Sequence, residues 1–130
     1  MSDAFTSVYS YTRAQAIDDG VLIDATNMAT EVGIRYPVAI TDRLYHEYIV
    51  PSLDLAKQGQ SIEGRLWDTL MVFRHTAAAT SGNLIYFTVT FQTSSKESGE
   101  PVLTTIHLKA LCHGGDQGEP VITIMLPEED

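Results

Sequence analysis

The sequence predicts a single α+β domain over residues 1–130, with short N-terminal helices and a long amphipathic helix packed on a three-stranded or slightly larger antiparallel sheet. Apolar residues between 62 and 77 recur at three- and four-residue spacing, which is typical of one helix face. The segments 85–92, 102–112 and 121–126 alternate apolar and polar side chains, as half-buried strands do. Short connections between these strands favour an antiparallel meander.

The first half of the chain is predicted to form short helices joined by extended links. The predicted helices, each with its capping residue, span 13–19 (Thr12), 27–32 (Thr26) and 42–50 (Thr41). Short strands are predicted at 21–24 and 34–40. Pro37 makes the second of these an edge strand or a link outside the sheet, since proline donates no ladder hydrogen bond.

Ser61 opens the best-defined helix, which is predicted to run to about Ala79. Its apolar face is formed by Ile62, Leu66, Leu70, Phe73 and Ala77, and Arg65, Asp68 and Arg74 lie towards the other side. This helix is the natural cover for one face of the sheet, because an amphipathic helix must bury its apolar stripe.

The strand alternation also divides the sheet into two faces. In the last strand, Ile122, Ile124 and Leu126 are predicted to face inward, and Val121, Thr123 and Met125 outward. The outward face is expected to be open to solvent or to a partner. The candidate partner-facing residues on it are Tyr86, Thr88, His107 and Met125.

The chain is acidic, with 17 Asp and Glu residues against 8 Lys and Arg, and a net charge of -9. Solubility is the ordinary explanation of such a balance. The functional interpretation of the same charge balance is a surface that attracts a basic protein partner. Such a surface disfavours direct nucleic-acid binding, because phosphate contacts supply much of the affinity for nucleic acid. Asp18, Asp19 and Asp24 form an acidic cluster that is added to the candidate partner-facing residues.

Localisation is predicted to be cytoplasmic. The N-terminus carries neither a basic region nor a signal-peptide core, and no apolar run reaches the length that spans a bilayer. The single cysteine, Cys112, excludes an internal disulfide. No membrane association is therefore expected.

Motif searching yields no catalytic residues, no metal site and no cofactor. His107 and His113 are six residues apart, and His107 and Cys112 point to opposite faces of a strand, which is poor metal-ligand spacing. Cys112 reads as a buried structural thiol rather than a nucleophile beside His113. The Gly-rich segment 114–118 precedes a strand, so it reads as a hairpin connection rather than a phosphate loop, which would lead into a helix. Which residues would bind a cofactor, if any, stays open.

Several segments carry a family resemblance. They are 11–24, 34–41, Gly64-Arg65-Leu66-Trp67-Asp68 and 115–130. The chain resembles an uncharacterised family of small proteins encoded on bacterial plasmids, phages and integrative elements. The resemblance spans nearly the whole chain and implies a context, an accessory product of mobile DNA, but no activity, cofactor or site residue.

The leading hypothesis is a non-catalytic interaction protein of a mobile genetic element, whose acidic surface engages a basic protein partner such as a host defence or DNA-processing component. The alternative is a small enzyme or ligand-binding protein that uses a pocket between the helices and the sheet. A group of polar side chains that meet in one pocket would favour the alternative. A homo-oligomer is compatible with the sequence.

Overall fold

The computed structural model describes residues 11–130. The helices are α1 (Arg13–Asp18), α2 (Thr26–Glu31), α3 (Asp42–Leu44, continued by a π-helical segment, Tyr45–Ile49), α4 (Leu53–Lys57) and α5 (Ile62–Ala78). The strands are β1 (Leu22–Asp24), β2 (Val38–Thr41), β3 (Leu84–Ser95), β4 (Pro101–Gly114) and β5 (Pro120–Met125). The fold class is α+β, as the sequence predicts.

The sheet is larger than predicted, and it is mixed rather than antiparallel. Its strand order is β1-β2-β5-β4-β3, and β2 pairs in parallel with β5 while the other neighbours are antiparallel. The predicted meander β3–β4–β5 is present. Sequence alternation could not reveal the parallel pair, because the residues of β2 and β5 that pair are more than 80 positions apart (for example Ile40 with Ile124).

The prediction that Pro37 marks an edge strand or a link is wrong, since β2 lies between β1 and β5. Strand β2 begins at Val38, one residue after the proline. The carbonyl of Pro37 accepts a hydrogen bond of 2.9 Å from the Ile122 N–H, so the position needs only an acceptor.

Helix α5 covers one face of the sheet. Leu66, Leu70 and Phe73 are buried on it, and the Phe73 ring lies 5.7 Å from the ring of Phe87 on β3. The Ser61 hydroxyl caps the helix by accepting from the Gly64 N–H at 3.0 Å. Within residues 11–130, no helix has the length and apolar character needed to cross a bilayer.

Arg65 does not lie on the polar side of α5 as predicted; it is only 5% exposed. Its guanidinium donates to the carbonyl of Tyr48 at 2.7 Å and to the carbonyl of Gln92, and it stacks over the Phe91 ring. These contacts join the π-helical segment to β3, and they replace part of the hydration that the buried charge loses. Periodicity could not anticipate this, because the partners are backbone carbonyls.

The helix starts are partly as predicted. The hydroxyls of Thr12 and Thr41 cap α1 and α3. Thr26 is not a cap but the first residue of α2, because its hydroxyl is turned to the Asp24 carboxylate. The predicted third helix is α-helical only to Leu44 before the π-helical segment, and α4 was not predicted as a helix.

The second sheet face is half covered, so Val121, Thr123 and Met125 point to the predicted outer face but are not open to solvent or a partner as expected. All three are buried, at 2%, 7% and 4% exposure. Helix α1 packs over this end of the face, and the Arg13 guanidinium reaches Thr123 and the carbonyl of Ile122. Within the described part of the chain, the β3–β4 end of this face is the part left uncovered.

A carboxylate-rimmed cleft beside the first helix

A cleft with a volume of about 610 Å³ lies between α1, the β4–β5 connection, the start of α3 and the residues Glu129 and Asp130. Its floor includes Ala16 of α1 and the β5 residues Thr123 and Met125. Because α1 forms one wall, the contacts that fix α1 also set the shape of the cleft.

Helix α1 is fixed at its N-terminus by residues from the other end of the chain. The two carboxylate oxygens of Asp116, in the β4–β5 connection, accept the N–H groups of Arg13 at 2.7 Å and Ala14 at 3.0 Å. The Thr12 hydroxyl accepts from the Gln15 N–H at 3.0 Å. The free N–H groups of the first helical turn are thereby satisfied. These backbone hydrogen bonds lower the pKa of Asp116.

A hydrogen-bonded chain of three side chains crosses the cleft floor. Arg13 Nη1 donates to Thr123 Oγ1 at 2.7 Å, and Thr123 Oγ1 lies 2.8 Å from His113 Nε2. His113 Nδ1 lies 3.0 Å from the Gly114 carbonyl, which can only accept, so Nδ1 carries a proton. In neutral His113, Nε2 then accepts from the Thr123 hydroxyl. Burial lowers the pKa of Arg13, although carboxylates around it oppose the shift.

Carboxylates dominate the rim of the cleft. Its charged lining residues are Asp42, Asp116, Glu129 and Asp130 against Arg13 and Arg43. The Arg43 guanidinium is engaged by Glu47 at 2.9 Å and by Glu128 at 3.5 Å. The carboxylates outnumber the arginines by four to two, so the net charge at the rim is negative. We call this site the acidic cleft.

The rim carboxylates differ in how firmly the protein holds them. Glu129 accepts from the Thr41 hydroxyl at 2.7 Å and from the Leu126 N–H at 2.8 Å, which fixes the turn after β5. Asp42 lies 2.6 Å from His46 on an exposed helical surface. Beside the cleft, Asp19 accepts from the Tyr11 hydroxyl at 2.6 Å, and this bond raises the pKa of Tyr11.

The candidate partner-facing residues fall on two separate surfaces. Tyr86, Thr88 and His107 are exposed together on the β3–β4 end of the second face, where Thr88 is paired with His107. Met125 does not join them, because it is buried beneath the cleft. The aspartates lie near the opposite edge of the sheet: Asp18 and Asp19 at the end of α1, and Asp24 at the end of β1.

The histidines and the cysteine do not converge. His107 is exposed, His113 is half-buried in the cleft, and Cys112 lies on the other sheet face next to the core. In the described part of the chain, no three His, Cys, Asp or Glu side chains gather closely enough to hold a metal ion.

Sequence reasoning missed the residues that build the cleft, Arg13, Asp116 and Thr123. Their contacts join positions 102 to 110 residues apart, and no local pattern signals such contacts. The hairpin interpretation of segment 114–118 agrees with the antiparallel β4–β5 pairing. Gly118 has a φ of +79°, a conformation that favours glycine, and the turn presents Asp116 to α1.

We expect the stability lost on replacing Asp116 by Asn to depend on pH. The pKa of Asp116 is lower in the folded protein, so its carboxylate stabilises the fold above the unfolded pKa of about 3.9. That contribution disappears as pH falls through the lower folded value. Urea titrations should therefore show Asp116→Asn less stable than the wild type at pH 7, with the gap narrowing as pH falls below about 4. A gap that is unchanged at low pH would contradict the capping role.

Over residues 11–130, the fold is α+β with a mixed five-stranded sheet, and the acidic cleft lies beside α1. The chain belongs to the family of unknown function DUF6573, whose model matches residues 1–130. No curated protein and no solved structure matches it significantly.

Proposed function

We propose that this chain is a non-catalytic interaction protein whose acidic cleft receives a basic segment of a protein partner. The observation that carries the proposal is the rim, where four carboxylates face two arginines that the protein already engages. A lysine or arginine side chain entering the cleft would meet acceptors. An acidic segment would be repelled there, and such complementarity mainly sets partner choice and association rate.

The wider charge distribution supports the same partner chemistry. Asp18, Asp19 and Asp24 lie around α1, next to the cleft, and all three are exposed. They extend the negative field beyond the rim, so a basic segment would be attracted before contact.

The cellular setting is part of the proposal. The resemblance of segments such as 11–24 and 115–130 to proteins encoded on bacterial plasmids, phages and integrative elements supports an accessory role for a mobile element in the cytoplasm. A host defence or DNA-processing protein with a basic surface fits this setting. Inspection of the genes beside those of family members tests it, and a location outside mobile DNA in most genomes would contradict it.

The test of the cleft compares two variants of equal charge. Asp19→Asn/Asp42→Asn/Asp130→Asn neutralises three carboxylates in or beside the acidic cleft, and Glu31→Gln/Asp68→Asn/Glu97→Gln neutralises three exposed ones elsewhere. Each carries a net charge of -6, which is -9 plus three. The probe is a fluorescent peptide of alternating lysine and glycine, with a glutamate–glycine peptide as the sign control.

We expect the lysine peptide to bind the wild type and the control variant with similar affinity. The cleft variant should bind roughly tenfold more weakly, which corresponds to about 1.4 kcal/mol. Equal weakening in both variants would mean that only net charge attracts the peptide, and it would overturn the proposal. Anisotropy should be read at about 150 mM salt, where charges more than ~8 Å apart are largely screened.

A ligand-binding or enzymatic role for the same cleft is the second candidate. The chain Arg13–Thr123–His113 favours it, because three polar side chains converge on the floor of one pocket. This candidate expects a small anion to bind at the floor. Phosphate or citrate should then raise the unfolding temperature of the wild type but not of His113→Asn. No shift in the wild type would exclude a small-anion ligand at this floor.

We also expect no appreciable binding to duplex DNA. Four of the eight basic side chains are already engaged: Arg13 and Arg65 donate hydrogen bonds within the fold, and Arg43 and Lys96 form ion pairs. Few remain for phosphates, which supply most of the nonspecific affinity. A mobility-shift titration at about 150 mM salt tests this expectation, and submicromolar affinity would contradict it.

A further inference from the structure

We propose that two copies of this chain associate through the outer edge of β3, so that their sheets join into one continuous sheet. Strand β3 is the last strand in the order β1-β2-β5-β4-β3, and its twelve residues make it a long edge strand. This association is independent of the acidic cleft, because α1 and β1 lie at the other end of the sheet.

The register shows which main-chain groups of β3 point outward. Cys112 N–H donates to the Asn83 carbonyl at 2.8 Å, and these residues lie opposite each other in the register that pairs Leu84 with Leu111. Hydrogen-bonded pairs alternate in an antiparallel ladder, so odd-numbered residues of β3 bond to β4 and even-numbered residues point outward. The Gln92 carbonyl, which accepts from Arg65, agrees with this assignment.

Most outward groups of β3 have no hydrogen-bond partner among the described residues. Within residues 11–130, no other group hydrogen-bonds to the outward N–H and C=O groups of Tyr86, Thr88 and Thr90. Arg65 closes the edge at Gln92, and a register shift follows between Gln92 and Ser94. The open edge therefore consists of the outward main-chain groups of Leu84–Thr90.

The sequence of β3 lacks the residues that usually protect an edge strand against pairing. Edge strands are commonly kept apart by charged side chains, by proline or by being short. Strand β3 carries no charged residue and no proline from Leu84 to Ser95. The opposite edge strand, β1, has only three residues and ends in Asp24. Because β1 is short and charged while β3 is long and uncharged, β3 is the edge at which another strand is expected to pair.

A second copy fits the open edge in both charge and geometry. In a chain of net charge -9, β3 is a neutral surface on which two copies meet without opposing carboxylates. An antiparallel pair with its twofold axis at Phe87 sets Tyr86 against Thr88 and Leu84 against Thr90 of the second copy. That register uses all four outward residues and forms about eight main-chain hydrogen bonds, two for each hydrogen-bonded pair. It stops short of Gln92, where Arg65 occupies the carbonyl.

Sedimentation of the full chain at increasing concentration tests the proposal, with three variants. Thr88→Pro removes an outward donor and Thr88→Lys places a charge at the open edge, while neither removes a bond to β4. Thr105→Lys is the matched control, because Thr105 is exposed on the same face but on the inner strand β4, opposite Thr90.

We expect the wild type and Thr105→Lys to be dimers, and both Thr88 variants to be monomers with native circular dichroism. If Thr88→Pro fails to fold, Thr88→Lys decides alone. A monomeric wild type, or a dimer that survives Thr88→Lys, would overturn the proposal. The proposal would also be overturned if the wild type were a monomer in which the Thr88 amide is protected from hydrogen exchange, and if removing residues 1–10 abolished that protection. That result would mean that the chain's own first residues pair with the edge.

Discussion

Replacing Phe73 by Ala should lower the free energy of unfolding by about 3–5 kcal/mol, through lost apolar transfer and the cavity left behind. Phe73 is 4% exposed and stacks in a tilted geometry on Phe87, so it couples α5 to the sheet. A loss of this size is a large part of a typical domain's stability of about 5–15 kcal/mol. Denaturant titration measures it.

Thr88→Ala is the control for Phe73→Ala. Thr88 lies on the same strand as Phe87 but on the opposite, open face, and it is exposed. Its replacement keeps every main-chain hydrogen bond of β3, including those proposed across the open edge, so it should change stability by no more than about 0.5 kcal/mol, as is usual at exposed positions. Equally small losses in the two variants would mean that α5 is not the main cover of the sheet.

Replacing Arg13 by Ala should have the second-largest effect, a loss of about 1–3 kcal/mol, because hydrogen bonds from a charged donor contribute more than neutral ones. The change removes the bonds to Thr123 and to the Ile122 carbonyl. It also releases α1 from β5, so hydrogen exchange should accelerate in α1 while α5 is unaffected.

Arg35→Ala is the matched control for Arg13→Ala, since Arg35 is an exposed arginine whose loss should be nearly neutral. Unchanged exchange in α1 of the Arg13 variant would show that the helix is held mainly by its apolar face, and that Arg13 serves the cleft rather than the fold.

The sequence predicts the parts of the fold that depend on local pattern. Alternation gives β3, β4 and β5, three- and four-residue spacing gives α5, and threonine at positions 12 and 41 gives two caps. These features succeed because each depends on residues a few positions apart.

The remaining features depend on distant contacts and were missed for that reason. Parallel pairing of β2 with β5 extends the sheet, and α1 covers half of the second face, so outward-pointing residues of β5 such as Met125 become buried. The acidic cleft follows from the same contacts, because Asp116 reaches α1 across more than 100 positions. Of the predicted partner-facing residues, the aspartates lie near the cleft, while Tyr86, Thr88 and His107 lie near the open edge of β3.

The most direct test of the central claim, that the acidic cleft receives a basic segment, is to map where the lysine peptide binds. Titrating the peptide into isotopically labelled protein and following the amide resonances reports the site residue by residue. We expect the largest shifts in α1, in the Gly114–Gly118 turn and in residues 127–130, with saturation at one peptide per chain. Shifts confined to α5 or to the β3–β4 face, or shifts spread evenly over the exposed carboxylates, would contradict it.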